Sequence, residues 1–220
     1  MSPTAPITRS TEAVLATNKV LKNTYMLLSM TLLFSAAMAV LSMYLGLPRG
    51  AAFACSIGAI ALVWFVLPRV ENSSAGIYVV FAFTGLLGLG IGPMLQSYLS
   101  IPNGPSLVAT ALGGTGAIFL ALSGYVLTTK KDFSYMGGFL MVGLIVVFGA
   151  MIANIFLAIP ALSMALSAGI ILLMSGLILF DTSRIINGGE TNYVRATVSM
   201  FLNIYNIFTS LLHLLGMADE

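Results

Sequence analysis

The 220 residues are 59% hydrophobic and only 7% charged, with a mean hydropathy of +1.03. A soluble domain carries about 25% charged residues, so this chain cannot coat a water-facing surface of its size and reads as a polytopic membrane protein. The net charge of +2 comes from nine Lys and Arg with no basic face, which excludes a nucleic-acid footprint.

Residues 1–22, "MSPTAPITRSTEAVLATNKVLK", are polar and mixed and predict a disordered N-terminal tail. The apolar run that follows has no AxA-type cleavage site and reads as a retained first span rather than a signal peptide. A helix needs about 20 apolar residues to cross a ~30 Å hydrocarbon layer. Seven stretches meet that requirement, at 23–45, 51–68, 76–99, 105–128, 136–158, 161–181 and 194–216. The predicted fold is therefore all-α, a seven-helix transmembrane bundle over residues 23–216 with a short tail at 217–220. Arg9, Lys19, Lys22, Arg69, Lys130, Lys131, Arg184 and Arg195 fall on one side under this reading, and only Arg49 on the other. By the positive-inside rule the N-terminus is cytoplasmic and the C-terminus lies outside.

In the third span, "TGLLGLGIGPML" places Gly88 and Gly92 at GxxxG spacing, which lets helices approach closely in lipid. Gly113, Gly114 and Gly116 suggest a second small-residue face in the fourth span. Pro93 removes a backbone hydrogen bond and predicts a kink, either packed or lining a cavity. Gln96, Asn154, Asn206 and His213 are polar within spans, where amides commonly join helices.

The sixth span runs into a carboxylate, "LILFDTSRIINGGE". At a helix C-terminus Asp181 faces the negative pole of the macrodipole and calls for a cation nearby. Arg184 at i+3 is the local candidate. Arg69 at the end of span two and Asn203 on span seven are the candidates for a functional arrangement, since ionisable groups in spans mark function by default.

Enzyme chemistry lacks residues. One His and one Cys, Cys55, cannot make a zinc centre or a redox CxxC. Ser123 and His213 are the one serine–histidine pair, without an evident activating partner. No lysine follows Lys131 to form a retinal Schiff base, and neither "GLLGLGIG" nor "GGTGAIF" is a strand-to-helix phosphate turn. The expectation is a protein with no enzymatic activity, cofactor or resident metal.

The segments "FAFTGLLGLGIGPML", "ALGGTGAIFLALSGYVLTTKKDFSYMGGFL", "ANIFL" and "ILFDTSRIINGGETNYVRATVSMFLNIYNIFTSLLHLLG" resemble the bacterial branch of the Bax-inhibitor (TMBIM) family, from about Asn18 to Gly216. The resemblance implies a seven-helix bundle with the last helix central, in the bacterial inner membrane. It implies one of two functions: modulation of the membrane AAA+ protease FtsH, in company with its regulatory partners, as binder, inhibitor and substrate, or a pH-sensitive calcium leak. In the leak branch an aspartate ending span six shares a proton with an aspartate on span seven, and an arginine of span two latches to them. Asp181 matches the first aspartate and Arg69 the latch, while Asn203 stands where the second aspartate would be. An amide cannot share a titrating proton, so the paired switch is lost, and Asp181 is expected to accept a hydrogen bond from Asn203. A weak or absent leak follows. A lone carboxylate is also a poor calcium site, because that ion takes six to eight oxygens.

Overall fold

A computed structural model describes residues 11–218, apart from the side chains of 11–14. Among the described residues seven helices are long and apolar enough to cross a membrane. The first is α1 (Thr11–Tyr44). The second is composite: α2 (Arg49–Ala61), a π-helical turn (Leu62–Val66) and α3 (Leu67–Val70) run on as one rod. Then follow α4 (Ala75–Leu99), α5 (Gly104–Thr129), α6 (Gly137–Leu157, entered through a 3-10 turn at Ser134–Met136), α7 (Pro160–Ile186) and α8 (Tyr193–Ala218).

Uninterrupted apolar sequence forms helices here because hydrocarbon offers no partner to backbone N–H and C=O groups. Breaks occur where left-handed backbone or proline ends a helix: Gly46 at φ +60 before Pro48, Lys130 at φ 53, Ala158 at φ 50 before Pro160, and Gly188 at φ 76. Asn154 clamps the tightest of these breaks. Its Nδ2 donates to Ser163 Oγ at 2.7 Å, and its Oδ1 accepts from Ile159 N–H at 3.1 Å, joining α6 to α7. The expected role of that amide as a helix joiner is what the structure shows.

The last helix is central. α8 packs against α1, α4, α5 and α7, while α2 leans on α4 and α6 on α7 at the periphery. The core is built on α8 and α4, where Phe83 and Phe201 meet edge-on with centroids 5.7 Å apart. The helices extend past the expected boundaries in two informative places. α1 begins at Thr11, so residues 11–22 are helical rather than part of a tail, and residues 1–10 lie outside the described residues. α7 continues to Ile186, five residues beyond Asp181, because Thr182, Ser183 and Ile185 are fully buried and hold the last turns in place.

Gly88 and Gly92 do what their spacing predicts. A Cβ added at Gly88 would strike the Ser35 carbonyl of α1, and one at Gly92 would strike the Ser42 side chain. Close approach there also resolves the proline. Pro93 has no N–H for the Leu89 carbonyl four residues back. Ser42 Oγ of α1 donates to that carbonyl instead, at 2.8 Å, and α4 runs through without a break. The predicted second small-residue face does not form. Only Gly114 approaches a neighbour, Leu211 at 3.3 Å, whereas Gly113 and Gly116 have open space where a side chain would be, since α5 stands apart from α1.

Candidate functional site at the Asp181 end of the bundle

Asp181 sits on α7 facing α8, one and a half turns inside the helix rather than at its end. Its Oδ2 accepts from Ser199 Oγ at 2.6 Å and from Asn203 Nδ2 at 2.9 Å. Asn203 itself is buried. Both donors project from α8 four residues apart, the spacing that puts side chains on one helical face. The expected Asp181–Asn203 hydrogen bond is present, and Ser199 adds a second that the sequence reading missed. The signal was available: Arg195, Ser199 and Asn203 recur at i, i+4 and i+8.

The local pairing with Arg184 is not the one the structure makes. Arg184 Nη2 lies 3.7 Å from Glu190 and donates to the Gly189 carbonyl at 3.0 Å, and its guanidinium stands over the Phe180 ring at 5.5 Å. The turn after α7 explains this. Gly188, with positive φ, folds the chain back so that Gly189 and Glu190 N–H groups both bond the Arg184 carbonyl, bringing Glu190 beside the side chain.

Arg69 is not brought to Asp181 either. Pro68 and the preceding π turn place Arg69 on the exposed face of the second span, where its guanidinium donates to the Phe65 carbonyl of the same span. The second span is tied to α8 by its neighbour Glu71. Arg195 forms an ion pair with Glu71, its Nε lying 3.3 Å from Oε2. Asn192 reinforces the junction: its Nδ2 donates to the Glu71 carbonyl at 3.0 Å and to Asn72 at 2.9 Å. Its Oδ1 meanwhile caps α8 by accepting from the N–H groups of Val194 and Arg195.

Asp181, Arg184, Glu190, Arg195 and Ser199 together line a small cavity of about 90 Å³. On the adjoining connection Asp132 Oδ1 accepts from Ser134 N–H at 2.8 Å and, at 3.3 Å, from Ser183 Oγ of α7. The hydrogen bonds from Ser134 hold the exposed Asp132 carboxyl below the usual carboxylate range. Among the described residues no group of three or more His, Cys, Asp and Glu is placed to hold a metal ion. Ser123 hydrogen-bonds Tyr25 of α1, so its partner is a tyrosine at this end of the bundle and not His213.

The fold and site define an all-α polytopic membrane protein that carries at one end a carboxylate held by neutral donors and an adjoining ion-pair clasp. The chain belongs to the Bax inhibitor family: residues 17–220 match the family described as "Inhibitor of apoptosis-promoting Bax1". It is 52% identical to the "Modulator of FtsH protease YccA" of Escherichia coli K12 over 208 residues, 94% of each chain. An uncharacterized membrane protein of Vibrio cholerae is likewise 52% identical, over 97% of this chain and 96% of its own. An uncharacterized Pseudomonas aeruginosa protein is 44% identical over 90% and 89%.

Proposed function

We propose that this protein is an inner-membrane binding partner of the FtsH protease that restrains it and is also its substrate, with no enzymatic activity of its own. The observation that carries this reading is the near-full-length 52% identity to a relative named as a modulator of that protease. The shape of the molecule supports it. The hydrophilic connections are short, so the surface offered to a partner is the lipid-facing helices and the charged end with Asp181, Arg184 and Arg195. Lys19, Lys22, Arg69, Lys130, Lys131, Arg184 and Arg195 belong to that end, opposite Arg49, which favours its facing the cytoplasm. The test is co-purification from detergent-solubilised membranes using tagged protein and FtsH at native levels. Recovery of FtsH with the protein is expected, and its absence after mild solubilisation and cross-linking rejects the reading.

A cation leak is the second reading, favoured by the cavity beside Asp181 and Glu190. Asn203 in place of a second carboxylate argues against acid gating, so calcium flux in pure liposomes should be small and insensitive to pH. A strong acid-tuned flux that disappears in Asp181→Asn would overturn this and make the leak the primary reading.

A further inference from the structure

We propose that a cleft between α1 and α5 is a binding site for one acyl chain of a membrane lipid. These two helices flank α8 and α4 without packing on one another. They are bridged at the Asp181 end, where Tyr25 bonds Ser123 and stacks at an angle on Phe119, centroids 5.9 Å apart. Beyond that bridge the walls part and leave a cavity of about 480 Å³, with Phe201, Ile204, Tyr205 and Phe208 of α8 as part of its floor. Its mouth opens sideways: Val40 on one wall, Leu112 on the other and Leu99 at the far end are 60%, 57% and 41% exposed. In a chain whose helices cross a bilayer, that direction is hydrocarbon.

Size and chemistry select the occupant. Ser35, Thr115 and Tyr205 are the polar side chains among the lining residues, and Thr115 already donates to the Ala111 carbonyl. Water needs several polar partners to stay, and apolar cavities remain dry. The α1 wall runs from Leu32 to Met43, roughly 16 Å at the helical rise. A single unbranched hydrocarbon chain is thin enough, and the membrane delivers it to the mouth. Gly116 contributes directly, since a side chain there would stand in open space within the cleft.

The full chain is reconstituted in phosphatidylcholine vesicles carrying a small fraction of lipid with a tail diazirine, irradiated, and mapped by mass spectrometry. Labelling should concentrate on Val40, Leu112 and Tyr205 above the level at Phe139 and Ile145, which face outward on α6. Gly116→Phe should lose cleft labelling while keeping that on α6, and Gly149→Phe on α6, where space is equally open, should keep both. Equal labelling of cleft and α6 in the wild type overturns the proposal, as does undiminished cleft labelling in Gly116→Phe. Cross-links joining two chains through the cleft would assign it to a second copy and also overturn it. If Gly116→Phe does not fold, the wild-type map and Gly116→Leu decide.

Discussion

Asp181 is held by a hydroxyl and an amide, neither of which titrates, and that choice of partners has a testable cost. Asn203→Asp would set two carboxylates at the 2.9 Å contact that Asn203 now makes as a donor. Two such groups cannot both ionise cheaply, so the variant should be most stable in acid and lose stability as pH rises toward neutral. The wild type should show no such trend from this contact. Thermal unfolding in detergent across that range checks it, and an identical pH profile for both proteins would sink the argument. In the sequence, Asp181 and Asn203 were legible as a contacting pair through the family resemblance, which aligns them with the two aspartates of the leak branch; the residues alone left Asn203 one candidate beside Arg184 and Arg69. Ser199 was hidden by its ordinariness, since serine in a span usually bonds its own helix. Glu71 and Glu190 were missed because they sit in connections, where carboxylates are expected and only the folded turn shows what they face.

Among elements, α1 and α4 form the pair that the sequence described best and explained least. The glycine spacing announced close packing, but the partner helix and the fate of the Leu89 carbonyl depend on which helices dock, which no local pattern encodes. Ser42→Ala leaves that carbonyl without its donor, a loss of about 1 kcal/mol for an interhelical hydrogen bond in a membrane. A Tm in detergent unchanged by Ser42→Ala would show that the bond contributes nothing. The connection between α5 and α6 makes a different prediction. Asp132 titrates lower folded than unfolded because Ser134 and Ser183 donate to it. Its contribution is therefore complete above the usual carboxylate range and is lost as pH falls through the depressed value. An NMR titration of the Ser134 amide should report a midpoint below that of an ordinary aspartate, and Asp132→Asn should abolish the transition. A midpoint in the ordinary range would remove the tether.

At the scale of the whole molecule, seven spans were legible because hydrocarbon imposes one rule on every backbone group, and composition alone satisfies it or does not. The ends of the helices were less so. Polarity begins at Asp181, yet α7 continues because Ile185 is buried against the bundle, a tertiary effect no local window contains. The same limit applied at the N-terminus, where α1 starts at Thr11 within a stretch that reads as a tail. If the protein is also degraded by FtsH, the segment before α1 is the handle nearest to hand on the charged end. Deleting residues 2–10 should then lengthen the protein's lifetime in cells with active protease, and an unchanged half-life in a pulse-chase would take that segment out of the account.

The bond between Ser42 and Leu89 has a consequence for how the protein is made. α1 emerges from the ribosome before α4, and the carbonyl that Pro93 leaves bare enters the bilayer only with the third span. From then until the two helices dock, an unpaired polar group stands in hydrocarbon. Membrane insertion and tertiary packing are thus coupled here: the first span must remain nearby, undocked elsewhere, until the third arrives to receive its hydroxyl.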